Sequence, residues 1–144
     1  MTIRVAESND ELERCFPVMR ELRPLLEADS FVSRVRSQED KGYRIAYVDD
    51  GARVVAVAGF RIIETLVDGR FLYIDDLVTR DSSRSEGHGA ALFNWLCERA
   101  AAEACMSIQL DSGHHRKDAH RFYQREGMEN SGLHFKKNLR ETIA

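Results

Sequence analysis

Apolar positions along this chain repeat with two different periods, and the switches between them mark out the elements. Thr2 to Ala6 alternates as a short strand. Leu12, Cys15, Phe16, Met19 and Leu22 then recur at three- and four-residue steps, the stripe of one helix face, with Ser8 and Asn9 placed as caps. Pro17 lies inside that stripe and predicts a kink or a restart, because it lacks a backbone donor; Pro24 predicts the stop. Phe31, Val32 and Val35 predict a second, weaker helix over Ser30–Glu39. Strand signals follow. Tyr43–Val48 is aromatic and β-branched, Asp49-Asp50-Gly51 reads as a turn, and Arg53–Ile63 is apolar almost throughout. Asp68-Gly69 turns the chain again into Phe71–Thr79, so the middle of the sequence predicts a three-stranded antiparallel meander.

The helical period returns at Ala90–Glu103, with Leu92, Trp95, Leu96 and Ala100 on one side. Ser107–Asp111 predicts a short strand, Arg116–Arg125 a helix capped by Gly127, and Leu133–Leu139 a last strand. The predicted order is β-α-α-β-β-β-α-β-α-β, an α/β (α+β) sheet covered by helices.

Composition narrows the class. With 144 residues, 43% hydrophobic and 31% charged, the chain reads as one globular domain spanning 1–144. The net charge of −3 and the absence of a basic run argue against nucleic acid as a partner. No stretch approaches the roughly 20 apolar residues of a membrane span, and the first residues lack a signal-peptide core. Cys15, Cys97 and Cys105 are odd in number and lack Cys-x-x-Cys spacing, which predicts reduced thiols packed as small hydrophobes and a cytoplasmic location. His88, His114, His115 and His120 match no zinc spacing, so no metal is expected, and His88 is expected to point outward.

The chemistry concentrates at Arg84-Ser85-Glu86-Gly87-His88-Gly89-Ala90, between the strand ending at Thr79 and the helix starting near Ala90. A strand, a glycine-bearing turn and a helix in that order make an anion site. The first amides of the helix are unpaired, the helix end carries partial positive charge, and glycine lets a phosphate approach the backbone. A Walker loop is excluded because Gly-Lys-Ser/Thr is absent, and a Rossmann unit because the meander precedes the loop.

Those residues resemble the fingerprint R/Q-x-x-G-x-G/A of the GNAT superfamily of acyl-CoA-dependent N-acetyltransferases. A second family signal is Phe122-Tyr123-Gln124-Arg125-Glu126-Gly127-Met128, an aromatic pair on a short helix before a glycine. The element order fits as well, so the resemblance covers essentially the whole chain. It implies the GNAT fold, a mixed, mostly antiparallel central sheet flanked by helices and splayed at its middle strands, and acetyl-CoA as cosubstrate. The backbone amides from Ser85 through Glu86, Gly87, His88 and Gly89 to Ala90 would cradle the pyrophosphate, with Arg84 as an ionic contact or a brace. The strand end Leu77-Val78-Thr79 would pair with the pantetheine arm, and the N–H of Leu77 or Val78 would hold the thioester carbonyl. Tyr123 would protonate the departing thiolate.

Asp75 and Asp76 are candidates to take the proton of the attacking amine. Strand alternation puts them on opposite faces, and Asp75, sharing parity with Tyr73 and Leu77, is preferred as the catalytic one. Glu64 and Asp76 are expected to line the amine site, and three acids there predict a cationic acceptor, a small molecule or a peptide amine. Two positions depart from the family pattern. Arg116 stands where many members carry an asparagine that contacts the pantetheine arm, and Met128 replaces the usual aromatic after Gly127. The resemblance allows a homodimer, though the sequence shows no self-complementary patch. A non-catalytic acyl-CoA-binding sensor remains the alternative reading, with a structural subunit as a third.

Overall fold

The computed structural model describes residues 1–141. Strands β1 (Thr2–Val5), β2 (Arg44–Asp49), β3 (Val54–Thr65) and β4 (Gly69–Thr79) pair antiparallel in chain order, and β5 (Ser107–Leu110) joins β4 in parallel. Turn chemistry sets the meander. Asp49 Oδ1 accepts from the Gly51 N–H, and Asp50 Oδ1 from the N–H groups of Ala52 and Arg53. Gly69 opens β4 at φ +67°, a conformation that favours glycine. The parallel step needs a crossover, which α3 (His88–Ala102) supplies.

Helices α1 (Asn9–Leu22) and α2 (Ala28–Glu39) cover one face of the sheet. Leu12, Phe16, Met19, Phe31 and Val35 pack there on Tyr43, Ile45, Tyr47 and Val57. Leu92, Phe93 and Leu96 of α3 cover the other face, on Ala46, Val48, Val55, Phe60, Leu72 and Ile74. Phe122 of α4 (Lys117–Arg125) joins that core edge-on to Phe93, ring centroids 6.1 Å apart. Helix α1 runs unbroken through Pro17. The stripe around Pro17 buries Cys15, Phe16, Val18 and Met19, and that packing outweighs one missing backbone bond. No helix among the described residues is long and apolar enough to cross a membrane.

The N-terminus of α1 shows how capping ties helix to sheet. The Glu11 N–H donates to Ser8 Oγ, and the Glu11 carboxylate accepts from the N–H groups of Glu7 and Ser8. Its other oxygen accepts from the Tyr47 hydroxyl of β2 at 2.6 Å. The Tyr47 hydroxyl first, then the amide of Ser8, pulls the Glu11 carboxyl from its ordinary 4.5 to about 2. Its folded value lies below its unfolded one, so its stabilisation is complete above pH 4.5 and is lost as pH falls from there toward 2. Ser8→Ala is expected to cost about 1 kcal/mol in denaturant unfolding. Glu11→Gln should flatten the acid limb of a stability-against-pH curve in that window.

Two expectations about the sheet are corrected. Leu133–Leu139 is not a strand: positions 131–138 have no regular structure, and Leu133, Phe135 and Leu139 are 69%, 87% and 85% exposed. Alternation there lasts only from Leu133 to Phe135 before Lys136-Lys137-Asn138, so pairing would bury too little to offset the entropy of ordering the backbone. Nor do Asp75 and Asp76 follow strict alternation. Gly59 of β3 opposes Asp76 and Phe60 opposes Ile74, leaving Asp75 as the extra residue of a bulge. The bulge flips parity. Ile74 and Leu77 both belong to the α3 side, whereas Tyr73, Asp75 and Asp76 line a pocket with α1 and α2 residues.

Candidate active site

Strand β5 pairs with β4 only from Phe71 to Ile74, and β4 continues to Thr79. From Asp75 onward no strand among the described residues lies beside that edge of β4, and the two strands part. A cleft of 970 Å³ opens in the gap, walled by Asp75–Thr79 of β4, the loop before α3, the segment after β5 and α4. The opening therefore falls between the last two strands of the sheet.

At the mouth of α3, Gly87 is the N-cap at φ +84°, with no side chain bonded to the helix start. Ser85 is also left-handed at φ 68°. The first intrahelical bond runs from the Ala91 N–H to Gly87 O, so the amides of His88, Gly89 and Ala90 have no helical partner and aim at the cleft mouth. Gly89 lies so close to β4 that a Cβ there would stand 3.0 Å from Thr79 Oγ1. Arg84, Ser85, Gly87, His88, Gly89 and Ala90 all line this cleft, as do Leu77, Val78 and Thr79; Glu86 does not. Arg84 pairs with Asp81, both largely exposed. The expectation for His88 is corrected. Its side chain is only 14% exposed and lines the cleft, Nε2 3.6 Å from Glu86 Oε2, with Nδ1 buried and unpartnered. Side chains tilt toward a helix N-terminus, which tucks this imidazole beneath the loop instead of into solvent.

Tyr123 of α4 lines the opposite wall. Burial raises its phenol above the ordinary tyrosine value, with Arg116 pulling the other way, so the hydroxyl keeps its proton at neutral pH. Arg116 lines the same cleft. His120 Nε2 lies 2.8 Å from Gly113 O and pins the segment after β5 to α4.

A second pocket, of 340 Å³, lies under α1 and α2 and shares Arg23, Asp75 and Asp76 with the first. Both aspartates are engaged. Arg61 grips Asp75 with Nε at 3.1 Å and Nη2 at 2.7 Å, and also reaches Gln38. Asp76 accepts from the Tyr43 hydroxyl at 2.6 Å and from Arg23 Nε at 3.0 Å, while Arg23 Nη2 donates to Asp75 O. Burial lifts the Asp75 carboxyl above the ordinary aspartate value, more than Arg61 lowers it. Tyr73, at the pocket floor, donates to Asp111 at 2.6 Å. Glu64 is the carboxylate that stays away. It sits exposed near the β3–β4 turn, paired in register with Arg70, and lines neither cavity, because it lies five positions along the extended strand from Gly59.

Arg23, Tyr43 and Arg61 were not anticipated. Arg61 left one trace, a lone charge inside the apolar run of β3, and a fully apolar strand face would not have needed it. The cysteines are unsuited to nucleophilic work. Burial raises all three thiols, Cys15 to about 12, and holds them protonated.

Comparison with known proteins agrees with this geometry. The model of the acetyltransferase (GNAT) family matches residues 6–128. The chain is 32% identical over 117 residues to an uncharacterised N-acetyltransferase, YhdJ, of Bacillus subtilis, covering 81% of this chain and 82% of that one. A shorter match, 36% over 66 residues and 46% of this chain, is to 43% of the aminoalkylphosphonate N-acetyltransferase of Salmonella typhimurium. Among solved structures, one described as a transcriptional regulator from Bacillus halodurans superposes with a TM-score of 0.82 at 27% identity, over 96% of this chain and 99% of that one. A cleft between diverging strands, with unpaired helix amides at one end and a protonated tyrosine on its wall, occurs here in a chain that the family model spans almost from end to end: the protein belongs to the GNAT family of acetyltransferases and is an acyltransferase.

Proposed function

We propose that this enzyme moves the acetyl group of acetyl-CoA onto a primary amine by direct attack within one ternary complex. The observation that carries the reading is convergence. The unpaired amides of α3, the bare edge of β4 from Asp75 to Thr79 and Tyr123 all face one cleft, and that cleft meets the α1–α2 pocket at Arg23, Asp75 and Asp76. The cosubstrate fits the larger cleft chemically: a diphosphate suits free helix amides beside glycine, and an amide-bearing arm suits an unpaired strand edge.

In this reading the amine enters from the α1–α2 pocket. Its free form is mostly protonated at neutral pH, so a proton must leave first. Asp75, raised by burial and shared by both cavities, takes that proton directly or through a water. The amine nitrogen bonds to the thioester carbon, and the charge that grows on oxygen is met by the N–H of Leu77 or Val78. Collapse breaks the carbon–sulfur bond, Tyr123 gives its proton to the departing thiolate, and the second proton of the nitrogen leaves through water and restores the phenol. Asp76, held by Tyr43 and Arg23, shapes the amine site.

Calorimetry with acetyl-CoA, followed by thiol release over a panel of amines, tests the proposal. Saturable binding plus amine-dependent release is expected. Binding with no release on any amine would leave a sensor, and no binding would end the reading.

A further inference from the structure

The arginines around α2 are accounted for with one exception. Arg23 and Arg61 are bonded to Asp76 and Asp75. Arg36 reaches Asn9, Glu39 and the carbonyl of Glu7, and Arg44 donates to the carbonyls of Glu39 and Tyr43. Arg34 lines the 340 Å³ pocket half-buried, and its guanidinium has no hydrogen-bond or ion-pair partner among the described residues. A half-buried arginine on a pocket wall whose guanidinium has no protein partner is placed to receive an anion. The local charge agrees. Of the lining charges, Asp76 is matched by Arg23 and Asp75 by Arg61, which reaches it from outside the lining, so Arg34 is the cation left over. Each acid already has its own arginine, so the acids do not make this pocket a site for cations alone.

We infer that the acceptor is a small amphoteric amine, a primary amine carrying a carboxylate, phosphonate or phosphate, and that Arg34 grips its anionic end. The inference rests on the acetyl-transfer reading above and names the acceptor class for it. Placement fits a short molecule. Gln38, four residues beyond Arg34 on α2 and so about 6 Å along the helix, touches Arg61, which holds Asp75. Arg34 and Asp75 line the same 340 Å³ pocket, and Leu26, Phe31 and Val35 give a chain that spans the two an apolar wall. A planar fork suits a two-oxygen anion better than an ammonium point charge does, so Arg34 is not equivalent to lysine here.

Matched amines test this. Thiol release from acetyl-CoA is compared for an alkylamine, the ω-amino acid and the aminoalkylphosphonate of equal length. The anionic amines are expected to exceed the alkylamine at least tenfold in kcat/KM, and the better of the two names the head group. Arg34→Gln should bring that ratio to about one while leaving the acetyl-CoA affinity of the other cleft as it was, and Arg34→Lys should restore part of it. Equal use of the alkylamine, or an unchanged ratio in Arg34→Gln, overturns the inference. Calorimetry with amine-free alkylcarboxylate and alkylphosphonate separates the two readings. Binding that vanishes in Arg34→Gln supports the anion site even where no amine is turned over, a result that would sink only the transfer reading. No difference between the wild type and Arg34→Gln in this assay overturns the anion site itself.

Discussion

Tyr123→Phe is expected to lower kcat by about 10²-fold while leaving acetyl-CoA affinity and thermal stability close to wild type. Removing one oxygen from a half-buried ring keeps the packing of that ring against Phe122, whose centroid lies 5.7 Å away. The change deletes only the proton that the departing thiolate needs, since a thiol of pKa about 8.5 leaves poorly as an anion near neutral pH. The raised phenol pKa ensures that the proton is present throughout the physiological range. Steady-state kinetics with calorimetry on the same preparation separates the two effects. A loss of affinity with kcat preserved would assign Tyr123 to binding, and unchanged kinetics would remove it from the reaction.

Gly59→Ala should be the most damaging single methyl group in the sheet. A Cβ at Gly59 would lie 2.0 Å from the Tyr43 hydroxyl oxygen, 2.6 Å from the ring carbon bearing it and 2.4 Å from Asp76 Oδ2. Tyr43 is 5% exposed and cannot swing aside. Either the strands part or the Tyr43–Asp76 bond breaks, and a broken bond leaves a buried phenol unsatisfied. We expect a loss of about 2–4 kcal/mol, or roughly 10 °C in Tm for a chain of this size. Denaturant and thermal unfolding measure it directly, and a wild-type melting curve would show that β3 and β4 yield without cost. Surviving enzyme should also show a raised KM for the amine, because Asp76 lines the pocket proposed for it.

Much of the framework was legible in the sequence because local chemistry settles it. Turns built by Asp49-Asp50-Gly51 and at Gly69, the stripe of α1 and the glycine loop before α3 each lie within a few residues of one another. The bulge was not legible. Tyr73-Ile74-Asp75-Asp76-Leu77 reads equally well as a regular strand, and only the pairing with Gly59 and Phe60, on another strand, shows that Asp75 is supernumerary. The same limit hid the arginines. Arg23 meets Asp76 across 53 positions and Tyr43 meets it across 33, distances over which no periodicity carries information. Glu64 was misplaced for the converse reason: membership of a neighbouring strand says nothing of how far along that strand the site lies. At Leu133–Leu139 three alternating residues imitated a strand that had no core to bury against.

The supernumerary Asp75 has a consequence for how this enzyme can be re-engineered. One inserted residue is the hinge pin between two workshops on opposite sides of a single wall. Excising it, as opposed to replacing it, would return β4 to regular pleating with Ile74 still opposite Phe60 and Asp76 still opposite Gly59, and would remove the one carboxylate that Arg61 holds at the meeting of the two cavities. Exchanging α2, by contrast, would refit the chamber proposed for the amine and leave standing the cleft beside α3, which α2 does not line.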